Sequence, residues 1–260
     1  MSNTIRVLAI GDIVGERAVD YITGRLRRFR DENKIDLTVA NGENAAPGNG
    51  LDRASAEALL VGGVDVITGG NHIWQKKDLR TMLEDSSSLI RPANYPPSAP
   101  GNGYTFINAA GYTFLVMNVM GTVFLDPLDC PFRTIENILK RESGRYDFAV
   151  LDIHAEATAE KLALAHCFDG RISVIFGTHT HVPTADEQVL PGGSGYITDI
   201  GMTGPYDSVL GVKKEIIIEK FRSRLPARFE TAEGDITVCG AIFDIDTASG
   251  HATAVTRIKF

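Results

Sequence analysis

Cysteine is scarce: Cys130, Cys167 and Cys239 are the three among 260 residues, an odd number with no C-x-x-C spacing. Such a set builds neither a disulfide framework nor a thiolate zinc site, and it suits a reducing compartment. A basic excess is also missing. Lys and Arg total 26 against 33 Asp and Glu, a formal charge of −7. Surfaces that coat long nucleic acids neutralise phosphates with Lys and Arg, so we expect no long nucleic acid as a partner. Apolar runs are short, and none approaches the roughly 20 residues of a membrane helix. Met1–Ile10 lack the basic start and apolar core of a secretory signal. We therefore expect a cytoplasmic protein without a membrane partner. Trp74 is the one tryptophan, and it reads as packing beneath a loop.

What is present is ordinary globular material, 43% hydrophobic and 23% charged. Short Val- and Ile-rich runs alternate with amphipathic stretches. We expect strands at Ile5–Ile10, Leu37–Ala40, Val64–Thr68, Phe148–Ile153 and Ile172–Phe176. Helices are expected at Glu16–Arg30, Ala54–Leu60, Pro131–Lys140, Thr158–Phe168 and Val212–Arg224, the last with Val212, Ile216, Ile217 and Phe221 on one face. Tyr104–Asn108 with Tyr112–Met117, and Ile236–Asp244 with Ala252–Ile258, read as hairpins. Strands separated by helices imply βαβ units, an α/β fold and a mainly parallel sheet. No linker or repeat divides the chain, so one domain over residues 1–260 is expected, with Arg91–Gly103 as an exposed excursion.

Chemistry gathers behind the strands. Gly11-Asp12 follows the first, Asn41-Gly42-Glu43-Asn44 the second, and Gly69-Gly70-Asn71-His72 the third. His154 follows FAVLDI, and Gly177-Thr178-His179-Thr180-His181 follows ISVIF. Open α/β sheets bind ligands beyond the carboxyl ends of their strands. Four of the six histidines lie in these loops, with two carboxylates and two amides. Imidazole, carboxylate and amide oxygen without thiolate suit Fe, Mn, Zn or Co. So many donors fit two ions better than one, and two ions about 3.5–4 Å apart suit hydrolysis of phosphate esters.

Each piece has a plainer reading. Asp12 could serve an Asx-turn, Glu43 and Asn44 a polar surface loop, and Asn71 a helix cap. His154 could be a satisfied structural histidine. The joint placement of five such pieces favours a metal site over coincidence. His166, near a helix end, and His251, in a hairpin turn, follow none of these strands and read as structural or solvated.

The order Asp, acidic residue, Gly70-Asn71-His72, His154, Gly177-Thr178-His179-Thr180-His181 resembles the calcineurin-like metallophosphoesterases. Asp12 is not followed by the usual x-His, and Gly42-Glu43-Asn44 replaces the usual Gly-Asp motif. With GDIVG, NGENAA, TGGNHIW, DIHAEAT, GTHTHVPTAD and Thr198–Lys214 in this order, the chain resembles the YmdB-like branch over nearly its whole length. That resemblance implies a four-layer α/β/β/α sandwich with a mainly parallel core, and a dinuclear site holding iron, with manganese as the alternative. It implies hydrolysis of 2′,3′-cyclic nucleotides to 3′-nucleotides. By it, Asp12 and His181 would bind one ion, Glu43 would bridge, and Asn71, His154 and His179 would bind the other. Asn44 would fill the place of the missing histidine, and His72 would act on the leaving oxygen without binding metal.

Two alternatives stay open: a broader phosphatase or nucleotidase, and a metal-bearing signalling protein whose partner contacts matter more than turnover. A monomer and a small homo-oligomer both fit. Leu125–Phe132 is a candidate lid or subunit contact, with a plain surface loop as the simpler reading.

Overall fold

The computed structural model describes residues 4–260, so the first three positions of the expected 1–260 domain lie outside the described residues. The chain runs β1 (Thr4–Ile10), β2 (Asp12–Ile13), α1 (Glu16–Thr23), α2 (Leu26–Asn33), β3 (Leu37–Asn41), α3 (Arg53–Gly62), β4 (Val66–Thr68) and α4 (Leu79–Asp85). It continues through β5 (Tyr104–Ala109), β6 (Tyr112–Met120), α5 (Pro131–Arg141), β7 (Phe148–His154), α6 (Thr158–Phe168) and β8 (Val174–Thr178). The last part holds β9 (Gln188–Val189), β10 (Gly195–Ile197), β11 (Met202–Pro205), α7 (Lys214–Ser223), β12 (Ile236–Thr237), β13 (Cys239–Asp246) and β14 (Ala252–Lys259).

Two large sheets result, one ordered β14-β13-β1-β3-β4 and the other β5-β6-β7-β8-β10-β9. The runs β1-β3-β4 and β6-β7-β8-β10 are parallel, while β14-β13-β1, β5-β6 and β10-β9 pair antiparallel. A small third sheet joins β12, β11 and β2. Strand alternation explains the layering. Val7 and Ala9 enter a core shared by the two sheets, while Leu8 and Ile10 face α1 and α3. On the other sheet, Phe114, Val116, Phe148 and Val150 face inward, while Leu115, Met117, Ala149 and Leu151 pack with Ile135, Leu164 and Phe168 of α5 and α6. Three apolar cores thus separate four layers, the expected α/β/β/α sandwich. No helix among the described residues is long and apolar enough to cross a membrane.

Several expected elements differ in detail. The helix expected over Glu16–Arg30 is two, because Gly24 closes α1 and the chain turns before α2. The short α4 has no counterpart among the expectations; its seven residues are too few for a clear helical period. Arg91–Gly103 is not an exposed excursion throughout, since Arg91 and Asn94 are buried and hydrogen-bonded to neighbouring backbone. On α7 only Ile217 is buried, and Phe221 faces outward at 65% exposure. Trp74 packs edge-on to Tyr95 against the core under its loop, as expected.

Phe176 lies fully buried in the layer between the sheets. Phe176→Ala should lower unfolding free energy by about 3–5 kcal/mol, read from chemical denaturation; a loss well below that range would mean the sheets do not depend on this contact.

Candidate metal centre

The carboxyl ends of β1, β3 and β4 in one sheet meet those of β7 and β8 in the other. Asp12, Glu43, Asn44 and His154 are buried there, and Asn71, His72, His179 and His181 are half-buried around them. All eight residues named from the sequence therefore converge. Glu43, His154 and His179 each offer one ligand atom, and those atoms all lie within 4.8 Å of one another. His154 Nε2 is 3.3 Å from Glu43 Oε1, 2.9 Å from Asn71 Oδ1 and 3.1 Å from His179 Nδ1.

Asp12 and His181 form the other flank. Asp12 Oδ2 accepts the His179 backbone N–H at 3.1 Å. Asp12 Oδ1 is fully buried with no hydrogen-bond partner among the described residues, 3.7 Å from His181 Nε2. A buried carboxylate oxygen without a donor is costly, and a cation satisfies it. The donor set fits a divalent metal.

His72 stands beside these groups. Its Nδ1–H donates to Asn44 Oδ1 at 2.8 Å, and its backbone N–H donates to Glu43 Oε2 at 3.0 Å. Asn44 Nδ2 in turn donates to Glu43 Oε1 at 3.0 Å. A carbonyl oxygen has two lone pairs, so Asn44 Oδ1 can hold His72 and still face a cation.

Proximity shapes the charges. Burial lifts the Asp12 carboxyl above the ordinary value, against the pull of His181 and His154. Burial pushes Glu43 the same way, but the His154 and His72 rings outweigh it and hold that carboxyl well below the usual range. Desolvation opposes charge on His154, yet Glu43 and Asp12 raise its imidazole to about 9. Burial and the neighbouring His154 push His179 down to about 3.

The loop after β8 is held in an unusual shape. His179 and His181 both have positive φ, 94° and 63°, a region that costs non-glycine residues energy unless their surroundings enforce it. The enforcement comes from residues the sequence reading passed over. Asp199, fully buried, accepts the Thr180 backbone N–H and hydroxyl and pairs with the fully buried Lys161 at 2.7 Å. Lys161 shares the apolar face of α6 with Leu164, Ala165 and Phe168, and a lysine at that spacing was the available signal. Glu156 Oε2 lies 3.1 Å from His179 Nε2 and was also missed. Gly70 is required by contact, since a Cβ there would overlap Glu43 Oε2 and His154 Nε2.

Other expected residues lie elsewhere. His166 and His251 are exposed on α6 and beside the final hairpin turn. The 125–132 segment spans the second half of the loop between β6 and α5 and the first two residues of α5; Asn94 ties that loop by accepting from Met120 N–H and donating to the Met120 and Asp129 carbonyls.

The family model described as YmdB-like protein matches residues 8–258. The chain belongs to the YmdB-like family. A Bacillus subtilis relative named 2′,3′-cyclic-nucleotide 2′-phosphodiesterase is 44% identical over 98% of this chain and 96% of that protein. A Thermus thermophilus structure of a hypothetical protein aligns with TM-score 0.91 at 41% identity, covering 98% of this chain and 99% of that one. A Mycoplasma pneumoniae structure described as a novel phosphatase aligns with TM-score 0.93 at 33% identity, covering 100% of this chain and 94% of that one. These YmdB-like relatives span the chain nearly end to end.

Two expectations follow. Gly70→Ala should reduce bound metal in the purified protein, measured by elemental analysis, and an undiminished metal content would contradict the crowding at Glu43 and His154. A cation taking His154 Nε2 displaces a proton from a group with pKa about 9, so Zn²⁺ affinity should rise from pH 7 to pH 9 in chelator competition. A flat profile would mean that metal binding displaces no proton held this tightly at His154.

Proposed function

We propose that this YmdB-like protein is a metal-dependent phosphodiesterase that hydrolyses 2′,3′-cyclic nucleotides to 3′-nucleotides. One observation carries the reading: the buried, partnerless Asp12 Oδ1 beside the Glu43–His154–His179 cluster, with His72 held at its edge. Asp12, Asn44 and His181 would hold one divalent ion, Asn71, His154 and His179 a second, and Glu43 would bridge. Iron is the first choice and manganese the second, as the family resemblance implies; imidazole, carboxylate and amide donors without thiolate are compatible with either.

Divalent ions bound there supply an activated water and neutralise charge on the phosphoryl oxygens. The chain's own groups do the rest. Asp12 and Glu43 are the only carboxylates among the seven candidate ligands, so they under-compensate two dications and leave a pocket that draws an anionic diester. Asn44 fixes the orientation of His72 through Nδ1–H, which leaves Nε2 to give a proton to the departing ribose 2′ oxygen. Loss of the 2′ oxygen yields the 3′-nucleotide. The relative named a 2′,3′-cyclic-nucleotide 2′-phosphodiesterase supports this substrate choice. Free thiols at Cys130, Cys167 and Cys239 suit a cytoplasmic setting.

The M. pneumoniae neighbour described as a phosphatase favours a second reading, monoester hydrolysis at the same centre. Metal analysis with turnover of 2′,3′-cyclic AMP, 3′,5′-cyclic AMP and p-nitrophenyl phosphate separates the two. Preference for the first substrate supports the proposal, and preference for the monoester overturns it. His72→Ala should lower kcat for 2′,3′-cyclic AMP by about 10²–10⁴-fold while metal content stays at the wild-type level. Metal loss in that variant would move His72 into the ligand set.

A further inference from the structure

The layer between the sheets changes character one rung before the ligand cluster. On β7, the alternation that buries Phe148 and Val150 between the sheets continues to Asp152 and then His154. The same parity brings Asn41, Thr68 and Thr178 inward at the ends of β3, β4 and β8, and all of these residues are fully buried. A carboxylate at this depth is costly without donors. Asp152 receives them from both sheets. Thr178 Oγ1 donates to its Oδ1 at 2.7 Å. Thr68 Oγ1 and Asn41 Nδ2 donate to its Oδ2, the latter at 3.2 Å.

A threonine hydroxyl carries one proton. Thr178 gives that proton to Asp152, so its 2.9 Å contact with His154 Nδ1 requires Nδ1–H as the donor. In the neutral ring, the form that binds a metal, Nε2 is then the lone-pair nitrogen of His154. It is also the atom facing Glu43, Asn71 and His179. We infer that Asp152, acting through Thr178, is a positioning residue that fixes the His154 tautomer and aims Nε2 at the metal while tying the two sheets together beneath the site. Metal-binding histidines often hand their second N–H to a carboxylate; here a hydroxyl relays the contact. The inference rests on the assignment of His154 as a ligand.

Zn²⁺, being diamagnetic, is a suitable probe of the whole protein. Thr178→Val keeps the side-chain shape and removes the hydroxyl, so Zn²⁺ affinity by chelator competition should fall about 10–100-fold. Thr178→Ser should restore it. In ¹⁵N-histidine NMR of the zinc-loaded wild type, His154 should show zinc on Nε2 and an exchange-protected Nδ1–H, and that proton should lose protection in Thr178→Val. Unchanged affinity in Thr178→Val overturns the inference, as does an equal loss in Thr178→Ser, which would point to packing alone. Zinc on Nδ1 in the wild-type spectrum overturns it even if no variant folds. Zinc binding undiminished by His154→Gln would remove the ligand assignment and this inference with it, whereas the other negative results leave the ligand assignment standing.

Discussion

Two sheets press together along an apolar layer that includes Val7, Val39, Phe114, Val150 and Phe176, and that layer ends abruptly in polar side chains. Asp12, Glu43, Asp152 and His154 lie within a few ångströms of the same buried seam, each exposed by no more than 1%. Charges so deep are tolerated only when paired or hydrogen-bonded. The carboxylates raise His154, the imidazoles hold Glu43 down, and Asp152 takes three side-chain donors, with its own carboxyl pushed up by burial to about 6. Asp12 Oδ1 is left over. The seam therefore does two jobs, closing the sandwich and gathering the candidate ligands of a divalent metal.

Rigidity at the edge of this seam comes from a second buried pair. Lys161 and Asp199 sit at zero exposure, and Asp199 holds the turn that carries His179 and His181 in left-handed backbone. A buried ion pair is weak evidence for stability in itself. Its value here is geometric, because two histidines in a strained region keep their aim only if their surroundings over-determine them.

Under the proposed two-ion reading the pocket would be positive, although the chain as a whole carries a formal charge of −7. Two carboxylates among seven candidate donors would then leave room for an anionic ester. A small phosphoester fits that arrangement. The YmdB-like relatives, named for a cyclic-nucleotide phosphodiesterase and a phosphatase, are consistent with that scale of substrate.

Much of this was legible in the residues themselves. Alternation in IRVLAI and FAVLDI marks the strands, and the polar residues behind five of them mark the ligand edge, because strand ends and turn chemistry are local properties. The exposure of Phe221 was not legible, since it depends on what packs against α7, whereas the break at Gly24 had a local signal in the glycine itself. Asp152 reads locally as one polar residue in a buried strand, and Lys161 as one charge on an apolar helix face. Only the packing of one sheet on the other brings Thr68 and Asn41 to Asp152, and only the docking of α6 brings Lys161 to Asp199. Sequence determined which side chains are candidates to bind a metal; the meeting of two sheets decided which of their atoms face one another, because contacts such as Asn41 to Asp152 and His179 to Asp12 span more than a hundred residues of chain and no local pattern encodes them.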